Sequence, residues 1–280
     1  MLRLRVITAL ILAPLIIWSV LAFSHRALAI ELGLILTVAA WEWARLSGLK
    51  NNIARIAFGG MMLVIMMLMT WLLHDSMTWL SWILYCNLLW WVIGLVLVIT
   101  FKKMPAQLPA RFGSIDIVLN LLAGIVIIGG AFVALTGLHQ MPEYGALYIL
   151  ILLVLIWIAD IAAYFSGKQF GRHKLAPYVS PGKTWEGVAG AAIVVFVAAL
   201  VIGEIRQFQL MQLIIFAFLV LITIAFSILG DLTESLFKRR VGMKDSSQLL
   251  PGHGGILDRI DSLMAAAPVF LLGLIQTGIK

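Results

Sequence analysis

The chain has 280 residues, of which 62% are hydrophobic and 12% are charged. A soluble domain has about 45–50% apolar and about 25% charged residues, so this composition excludes a water-soluble globular protein. The formal net charge of +7 raises nucleic acid as a partner, but the positions of the basic residues favour membrane topology and an anionic substrate instead. The single cysteine, Cys86, excludes an intrachain disulfide bond and a multi-cysteine metal site.

The apolar segments predict an all-α, polytopic integral membrane protein with about nine transmembrane helices. A helix that crosses the bilayer needs roughly 20 apolar residues, and a window of about 19 residues detects it. Such segments lie at 6–23, 27–45, 53–73, 77–100, 115–137, 145–166, 187–203, 211–230 and 261–278. They lack the alternation of apolar and polar residues that is typical of a transmembrane β-barrel. We therefore predict a single membrane-embedded domain over residues 1–280.

The first apolar segment also has features of a cleavable signal peptide. Arg3 and Arg5 precede it, and the sequence Ala-Leu-Ala follows it at 27–29. Its 18 residues exceed the usual h-region of about 7–15 residues, and Arg26 lies just before the cleavage position. We expect a retained helix, with cleavage as the alternative.

The basic residues are distributed unequally between the two sides of the predicted helices. Seventeen of the 20 basic residues lie on the side that holds the N-terminus and the segments after the second, fourth, sixth and eighth helices. The other side holds Arg26, Arg206 and Lys280. Because basic residues are enriched in cytoplasmic loops, the first side is predicted to be cytoplasmic. The N-terminus is then in the cytoplasm and the C-terminus outside.

Two extramembrane segments are long, at 167–186 and 231–260, and both are predicted to be cytoplasmic loops that form the active site. In the second segment, Asp258 and Asp261 are three residues apart, so on a helix their carboxylates would lie on one face. Asp231 stands at the membrane boundary. Oxygen ligands at this spacing suit Mg²⁺. The alternative is a cluster of salt bridges in which these carboxylates pair with Arg259, Lys238 or Lys244.

A glycine-rich run precedes the last predicted helix and contains His253, Gly254 and Gly255. Glycine lets the backbone approach a ligand closely, and amides at a helix N-terminus attract phosphate. The run is therefore a candidate phosphate site, with a flexible turn as the alternative. His253 is a candidate phosphate donor, base or turn residue.

The segment 180–187 contains the sequence Gly-Lys-Thr, which suggests a P-loop. The P-loop pattern requires a glycine at position 177, where this chain has Pro177. A P-loop also follows a strand, whereas this segment follows a predicted membrane helix. The P-loop interpretation is therefore excluded. Lys183 remains as a cation, and Thr184 and Glu186 are candidates either for substrate binding or for capping a helix N-terminus.

Asp160 and Glu31 lie inside predicted membrane helices, where a charge is costly and indicates a function by default. Asp160 lies near the cytoplasmic end of the sixth helix and is a candidate for the same pocket. Glu31 lies near the opposite face, where its side chain can extend to the membrane surface, and we do not assign it to the site.

The pattern of residues at 235–261 resembles that of the phosphatidate cytidylyltransferases, also called CDP-diacylglycerol synthases. It reads Ser-Leu-Phe-Lys-Arg from Ser235, then Lys244 and Asp245, then His-Gly-Gly-Ile-Leu-Asp-Arg-Ile-Asp from His253. The stretch at 180–187 and the pair Gly230-Asp231 also resemble that family, as does Ala-Trp-Glu-Trp at 40–43 for its bacterial members.

This resemblance implies an enzyme of the bacterial inner membrane that acts in phospholipid biosynthesis. It would use Mg²⁺ and CTP to convert phosphatidic acid into CDP-diacylglycerol, with release of pyrophosphate. The catalytic residues would be Asp231, Asp258, Asp261 and Lys183, with the three aspartates as metal ligands. Substrate binding would involve Ser180, Lys183, Thr184, Glu186, Ser235, Lys238, Arg239, Lys244, His253, Gly254, Gly255 and Arg259. A homodimer is left open.

Two other functions are compatible with a polytopic helical chain. A cation-coupled transporter would carry ionisable groups near the midplanes of several helices, whereas most acidic residues here lie at one membrane face. A CTP-dependent polyprenol or lipid kinase would have its site in the same location but would transfer the γ-phosphoryl group. The released product, pyrophosphate or CDP, distinguishes the kinase from the cytidylyltransferase.

The predicted topology can be tested with single cysteines. Cysteines introduced at 51, 107, 173 and 245 are expected to react with membrane-impermeant thiol reagents only from the cytoplasm. A cysteine at 140 is expected to react only from outside, because it follows the fifth predicted helix. Labelling from outside at 173 or 245 would contradict a cytoplasmic site.

Overall fold

The computed structural model describes residues 2–72, 77–101, 113–250 and 252–279. Several residues that the topology prediction uses lie outside this described part, namely Lys102, Lys103, Gln107, Arg111 and Lys280.

The described part of the chain is almost entirely helical. Its nine helices are α1 (Leu2–Ala22), α2 (His25–Leu46), α3 (Asn52–Leu72), α4 (Met77–Thr100), α5 (Ser114–Gln140), α6 (Gly145–Phe170), α7 (Trp185–Ile205), α8 (Leu210–Arg240) and α9 (Leu257–Thr277). Helices α2 to α9 are long and apolar enough to cross a membrane, and α1 contains a shorter apolar segment, Leu10–Ala22. The predicted all-α membrane fold is therefore confirmed.

The helices differ in how much of their apolar surface is buried. In α3 and α7, 22% of the most apolar segment is buried inside the protein, against 61% in α5 and α9. Helix α9 packs against α8 and α5, and α2 packs against α3 and α5. Helices α5 and α9 therefore form the centre of the bundle, while α3 and α7 expose apolar side chains that a bilayer solvates. A helix also satisfies its backbone hydrogen bonds internally, as the bilayer interior requires.

The segment 231–260, predicted as a loop, is helical over its first part. Helix α8 continues to Arg240, and only 241–256 connects it to α9. Polar side chains one helical turn apart pair with each other here: the Ser235 hydroxyl donates to Asp231, and Lys238 contacts Glu234. Pairs at this spacing stabilise a helix, so the helix extends beyond its apolar part.

The segment 167–186 also contains regular structure instead of a simple loop. Helix α6 extends to Phe170, and a short antiparallel hairpin follows, made of β1 (Lys174–Ala176) and β2 (Ser180–Thr184). Lys174 lies opposite Thr184, and α7 begins directly after β2. The hairpin therefore holds β2 between the ends of α6 and α7, beside the polar end of α8.

Candidate active site

Polar residues of the segments 167–186 and 231–260 meet where α8 crosses α9. The crossing is close: a Cβ atom added at Gly230 would lie 2.4 Å from the backbone oxygen of Asp261. Only glycine leaves room for this approach. Asp231 follows Gly230 directly, so its carboxylate and that of Asp261 lie near enough to repel each other. The site therefore brings together two carboxylates whose mutual repulsion a nearby cation relieves.

Lys183 joins the hairpin to α8. Its Nζ atom lies 2.7 Å from Oδ2 of Asp231, and both side chains are partly exposed. The other carboxylate oxygen of Asp231 accepts a hydrogen bond of 3.2 Å from the Ser235 hydroxyl. The structure thus brings together three of the predicted site residues, which come from segments about 50 residues apart along the sequence.

Lys238 joins α8 to α9. Its ammonium group lies 2.7 Å from Oδ1 of Asp258 and also contacts Oε2 of Glu234. All three side chains are largely buried. The exposed fraction of the side chain is 10% for Lys238, 6% for Asp258 and 1% for Glu234. Breaking a buried pair of this kind costs about 3–5 kcal/mol, because it leaves an uncompensated charge. Lys238 therefore has a structural contact in addition to its predicted substrate-binding role.

Asp258 has a second set of contacts, to the loop before α9. Its Oδ2 atom accepts hydrogen bonds of 2.8–2.9 Å from the backbone amides of Ser246 and Gly255 and from the Ser246 hydroxyl. A Cβ atom at Gly254, where φ is +80°, would lie 2.6 Å from this oxygen. The glycine run therefore folds around Asp258. The ion pair with Lys238 is the contact that the salt-bridge alternative predicts for Asp258.

The remaining carboxylates have fewer protein contacts. Oδ1 of Asp261 accepts a hydrogen bond from the adjacent backbone amide of Ser262, at 2.7 Å. Oε1 of Glu234 is buried and has no hydrogen-bond partner among the described residues. The cluster as a whole contains four carboxyl groups and two ammonium groups, a formal excess of two negative charges when all six groups are ionised: Asp231, Glu234, Asp258, Asp261, Lys183 and Lys238.

These residues fit a divalent cation in charge and in donor type. Within the described ranges, no group of three or more Asp, Glu, His or Cys side chains is arranged to hold a metal, so the three predicted ligands do not share one centre. Mg²⁺ usually binds one or two carboxylates together with water and substrate phosphates. The oxygen donors, the charge excess and the unpaired oxygen of Glu234 are compatible with that mode of binding.

Two predicted substrate-binding residues make local contacts at the start of α7. Oγ1 of Thr184 accepts a hydrogen bond from the Gly187 amide, which makes Thr184 the N-cap residue. The carboxylate of Glu186 contacts both the backbone amide and Nδ1 of His173, the latter at 2.7 Å. The Thr184 contact is the helix cap that the alternative interpretation predicts, whereas Glu186 joins the start of α7 to His173 before β1.

The other predicted residues lie around the cluster. Arg239 donates to the backbone oxygens of Val179 and Met243 and so joins the hairpin to the loop after α8. Lys244 and Arg259 are exposed. The Nδ1 atom of His253 is buried and has no hydrogen-bond partner within the described part of the chain.

Two cavities lie near the cluster: the first shares Lys183 with it, and the second is lined by the end of α2 and the loop after α8. One, of about 380 Å³, is lined by apolar residues of α6, α7 and α8 together with Asp160, Ser180 and Lys183. The other, of about 660 Å³, has a more polar wall that includes Trp41, Arg45, Lys244, Asp245 and Gln248. The first cavity suits an amphipathic ligand with an anionic group, and the second suits a polar anion.

Sequence reasoning did not assign three residues that are central to the site: Glu42, Glu234 and Ser246. The signal for Glu234 was its spacing of four from Lys238. Glu42 is a charged residue inside a predicted membrane helix, which by itself indicates a function. No local pattern identifies Ser246, because its partners Glu42 and Asp258 are distant along the chain.

Comparisons with known proteins agree with this architecture. Residues 3–275 match the family described as the Cytidylyltransferase family. The phosphatidate cytidylyltransferase of Pseudomonas aeruginosa is 41% identical over 270 residues, which cover 96% of both chains. That of Haemophilus influenzae is 38% identical over 287 residues, covering 96% of this chain and 97% of the relative. The match extends over nearly the whole length, through the hairpin, α8 and α9, and this chain belongs to the cytidylyltransferase family.

Proposed function

We propose that this chain condenses CTP with phosphatidic acid to give CDP-diacylglycerol and pyrophosphate, at the cytoplasmic face of a bacterial inner membrane. The observation that carries the proposal is the cluster of four carboxylates and two lysines at the α8–α9 crossing, in a chain that matches this family from residue 3 to 275. Its relatives named phosphatidate cytidylyltransferase support the choice of substrates. Both substrates carry phosphate, so the site has to neutralise charge.

The two cavities support a division between the substrates. Phosphatidic acid is assigned to the smaller cavity, whose apolar wall accepts the lipid and where Lys183 meets the phosphate. CTP is assigned to the larger cavity, which has Arg45 and Lys244 for the phosphates. The two phosphate groups would then meet at the carboxylate cluster.

We propose that Asp231, Asp258 and Asp261 hold Mg²⁺ together with water and substrate phosphates, so that only one or two of the three carboxylates bind the metal directly. A carboxylate has about four lone-pair positions, so Asp258 can contact Lys238 and still face a cation. When bound, the metal neutralises phosphate charge and stabilises the transition state. A metal site built from these carboxylates would also offset the charge excess of the cluster.

The chain itself mainly binds and orients the two phosphates. An oxygen of phosphatidic acid forms a bond to the α-phosphorus of CTP, the bond from that phosphorus to the bridging oxygen breaks, and pyrophosphate leaves. A phosphate monoester has a second pKa of about 6 and is largely ionised near neutral pH, so no strong base is needed. Lys183 orients the attacking phosphate. Lys238 keeps Asp258 in place, and Arg239 holds the hairpin against the loop.

Labelled CTP provides the test of this reaction. Purified protein supplied with phosphatidic acid, Mg²⁺ and α-labelled CTP is expected to transfer the label to lipid, whereas γ-labelled CTP should release it as pyrophosphate. A reaction with a chelator in place of Mg²⁺ is the control. Transfer of the γ label to lipid would identify a kinase and contradict the proposal, and so would the absence of label from lipid in both cases.

Lys183 should contribute to the rate through its charge. Lys183→Ala is expected to lower the turnover number by about 10²–10³, the usual effect of losing a donor to a developing charge, and Lys183→Arg should keep part of the activity. Lys174→Ala, at an exposed lysine of the same hairpin, is the matched control. Near-normal CTP kinetics in folded Lys183→Ala would show that the residue only supports the hairpin.

The carboxylates are tested by Asp→Asn substitutions, which keep shape and remove charge. Each substitution is expected to lower the rate by about 10² or more and to raise the half-saturating Mg²⁺ concentration; the three are Asp231→Asn, Asp258→Asn and Asp261→Asn. The reason is that a metal contributes several kcal/mol to stabilising the transition state, and each 1.36 kcal/mol is about tenfold in rate. Asp116→Asn, at an exposed helix start, is the control. Full activity with unaltered Mg²⁺ dependence, or lost thermal stability alone, would contradict the metal site.

A further inference from the structure

Glu42 is a charged residue that is completely buried in α2. Its carboxylate accepts four hydrogen bonds from the loop after α8 and the start of α9. Oε1 accepts a hydrogen bond from the Ser247 hydroxyl and one of 3.1 Å from the backbone amide of Ile256. Oε2 accepts from the Ser246 hydroxyl at 3.1 Å and from the backbone amide of Leu257 at 2.7 Å. Each oxygen therefore binds one hydroxyl and one backbone amide.

These contacts join two parts of the polypeptide between α8 and α9. The serines lie in the middle of the connecting loop, whereas the two amides lie at the N-terminus of α9, where the helix dipole favours a negative charge. The fit is close, because a Cβ atom at Gly255 would lie 2.4 and 2.6 Å from the two Glu42 oxygens. We call the Glu42 carboxylate and its four donors the clamp. The clamp therefore requires glycine at position 255 and a carboxylate on α2.

The same loop reaches the catalytic cluster. The single hydroxyl hydrogen of Ser246 is shared between Oε2 of Glu42 and Oδ2 of Asp258, at oxygen–oxygen distances of 3.1 and 2.9 Å, and the Ser246 backbone amide also donates to Oδ2 of Asp258. Asp258 in turn contacts Lys238 through its other oxygen. A displacement of the Glu42 carboxylate is thus transmitted through one serine to a proposed metal ligand and to a buried lysine.

We propose that Glu42 is a positioning residue for the reaction: it fixes the loop and the start of α9 so that Asp258 and Asp261 face the phosphates in a defined geometry. The proposal rests on the proposed function. Glu42 acts through Ser246 and the α9 backbone and has no role in binding substrate.

Glutamine cannot replace the Glu42 carboxylate. The side-chain amide of glutamine has one oxygen and one NH₂ group, and in either orientation the NH₂ group faces a backbone amide that can only donate. One buried donor then stays unsatisfied. Leaving one buried donor without an acceptor shifts the equilibrium between the ordered loop and the displaced loop about tenfold or more towards the displaced form.

The kinetic test compares Glu42→Gln with Glu31→Gln, the same substitution in the same helix away from the loop. Glu42→Gln is expected to lower the turnover number at least about tenfold and to raise the half-saturating Mg²⁺ concentration several-fold, both measured per folded molecule. Glu31→Gln should match the parent protein. A purely structural role would reduce the amount of folded protein and leave the half-saturating Mg²⁺ and CTP concentrations unchanged, and this outcome would overturn the proposal.

A second measurement needs no substrate. A spin label is attached to a cysteine that replaces the exposed Gln248, in a chain where Cys86 is replaced by alanine. Glu42→Gln is expected to increase the mobility of the label, and Glu31→Gln should leave it unchanged. An unchanged spectrum in Glu42→Gln would overturn the clamp. Because this result is independent of CTP, it stays interpretable even if the parent protein transfers no cytidylyl group.

Ser247→Ala provides a milder variant if Glu42→Gln does not fold. It removes one of the four donors and leaves both backbone amides of α9 bonded to Glu42. We expect smaller shifts of the same sign in the Mg²⁺ dependence and in label mobility. No shift in either quantity would overturn the proposal.

Discussion

Charge compensation at the α8–α9 crossing is the constraint on which the polar part of this protein depends. Carboxylates that leave water need partners, and an isolated buried charge is too costly to persist. Lys238 pairs with Asp258 inside the cluster and so joins α9 to α8. Lys183 pairs with Asp231 and so joins the hairpin to α8. The positions of the hairpin and of the loop before α9 are therefore consequences of where the negative charges lie. The close contact at Gly230 makes the crossing possible, because any side chain there would separate the two backbones.

The apolar helices and the polar cluster are adapted to different solvents. Along most of their length α3 and α7 expose apolar side chains, which a bilayer stabilises, and their sequences need no polar partner. At one end of α8 the sequence changes to Asp231, Glu234, Ser235 and Lys238, and the helix continues because these residues pair with one another. A lipid substrate and a nucleotide substrate can meet only at such a boundary.

The sequence predicted the helices well, since hydropathy over about 19 residues reports directly on burial in a bilayer. Helix α8 extends ten residues beyond the predicted membrane span, because a hydropathy window responds to charge and does not detect pairing at a spacing of four. Capping of α7 by Thr184 was among the predicted alternatives because the signal is local. The environment of Asp258 was only partly predictable, since its partner Ser246 is held by Glu42, more than 200 residues away along the sequence. The general limit is that spacing identifies which groups lie on one helix face, and only tertiary structure decides which of them pair.

The formal charge of the cluster affects how a nucleotide and a metal ion would bind to it. When its four carboxyl groups are ionised, the cluster repels a nucleotide triphosphate that arrives without a cation. The second cavity offers Arg45 and Lys244, whose two positive charges neutralise only part of the charge of a triphosphate. A divalent cation that accompanies the nucleotide removes the repulsion and satisfies the carboxylates at the same time. With the proposed metal site, binding of nucleotide and binding of metal would therefore be thermodynamically linked, each raising the affinity for the other, because any coupling between two sites is reciprocal. The proposed Glu42 clamp would strengthen this link, because it limits how far Asp258 can move from its position in the cluster.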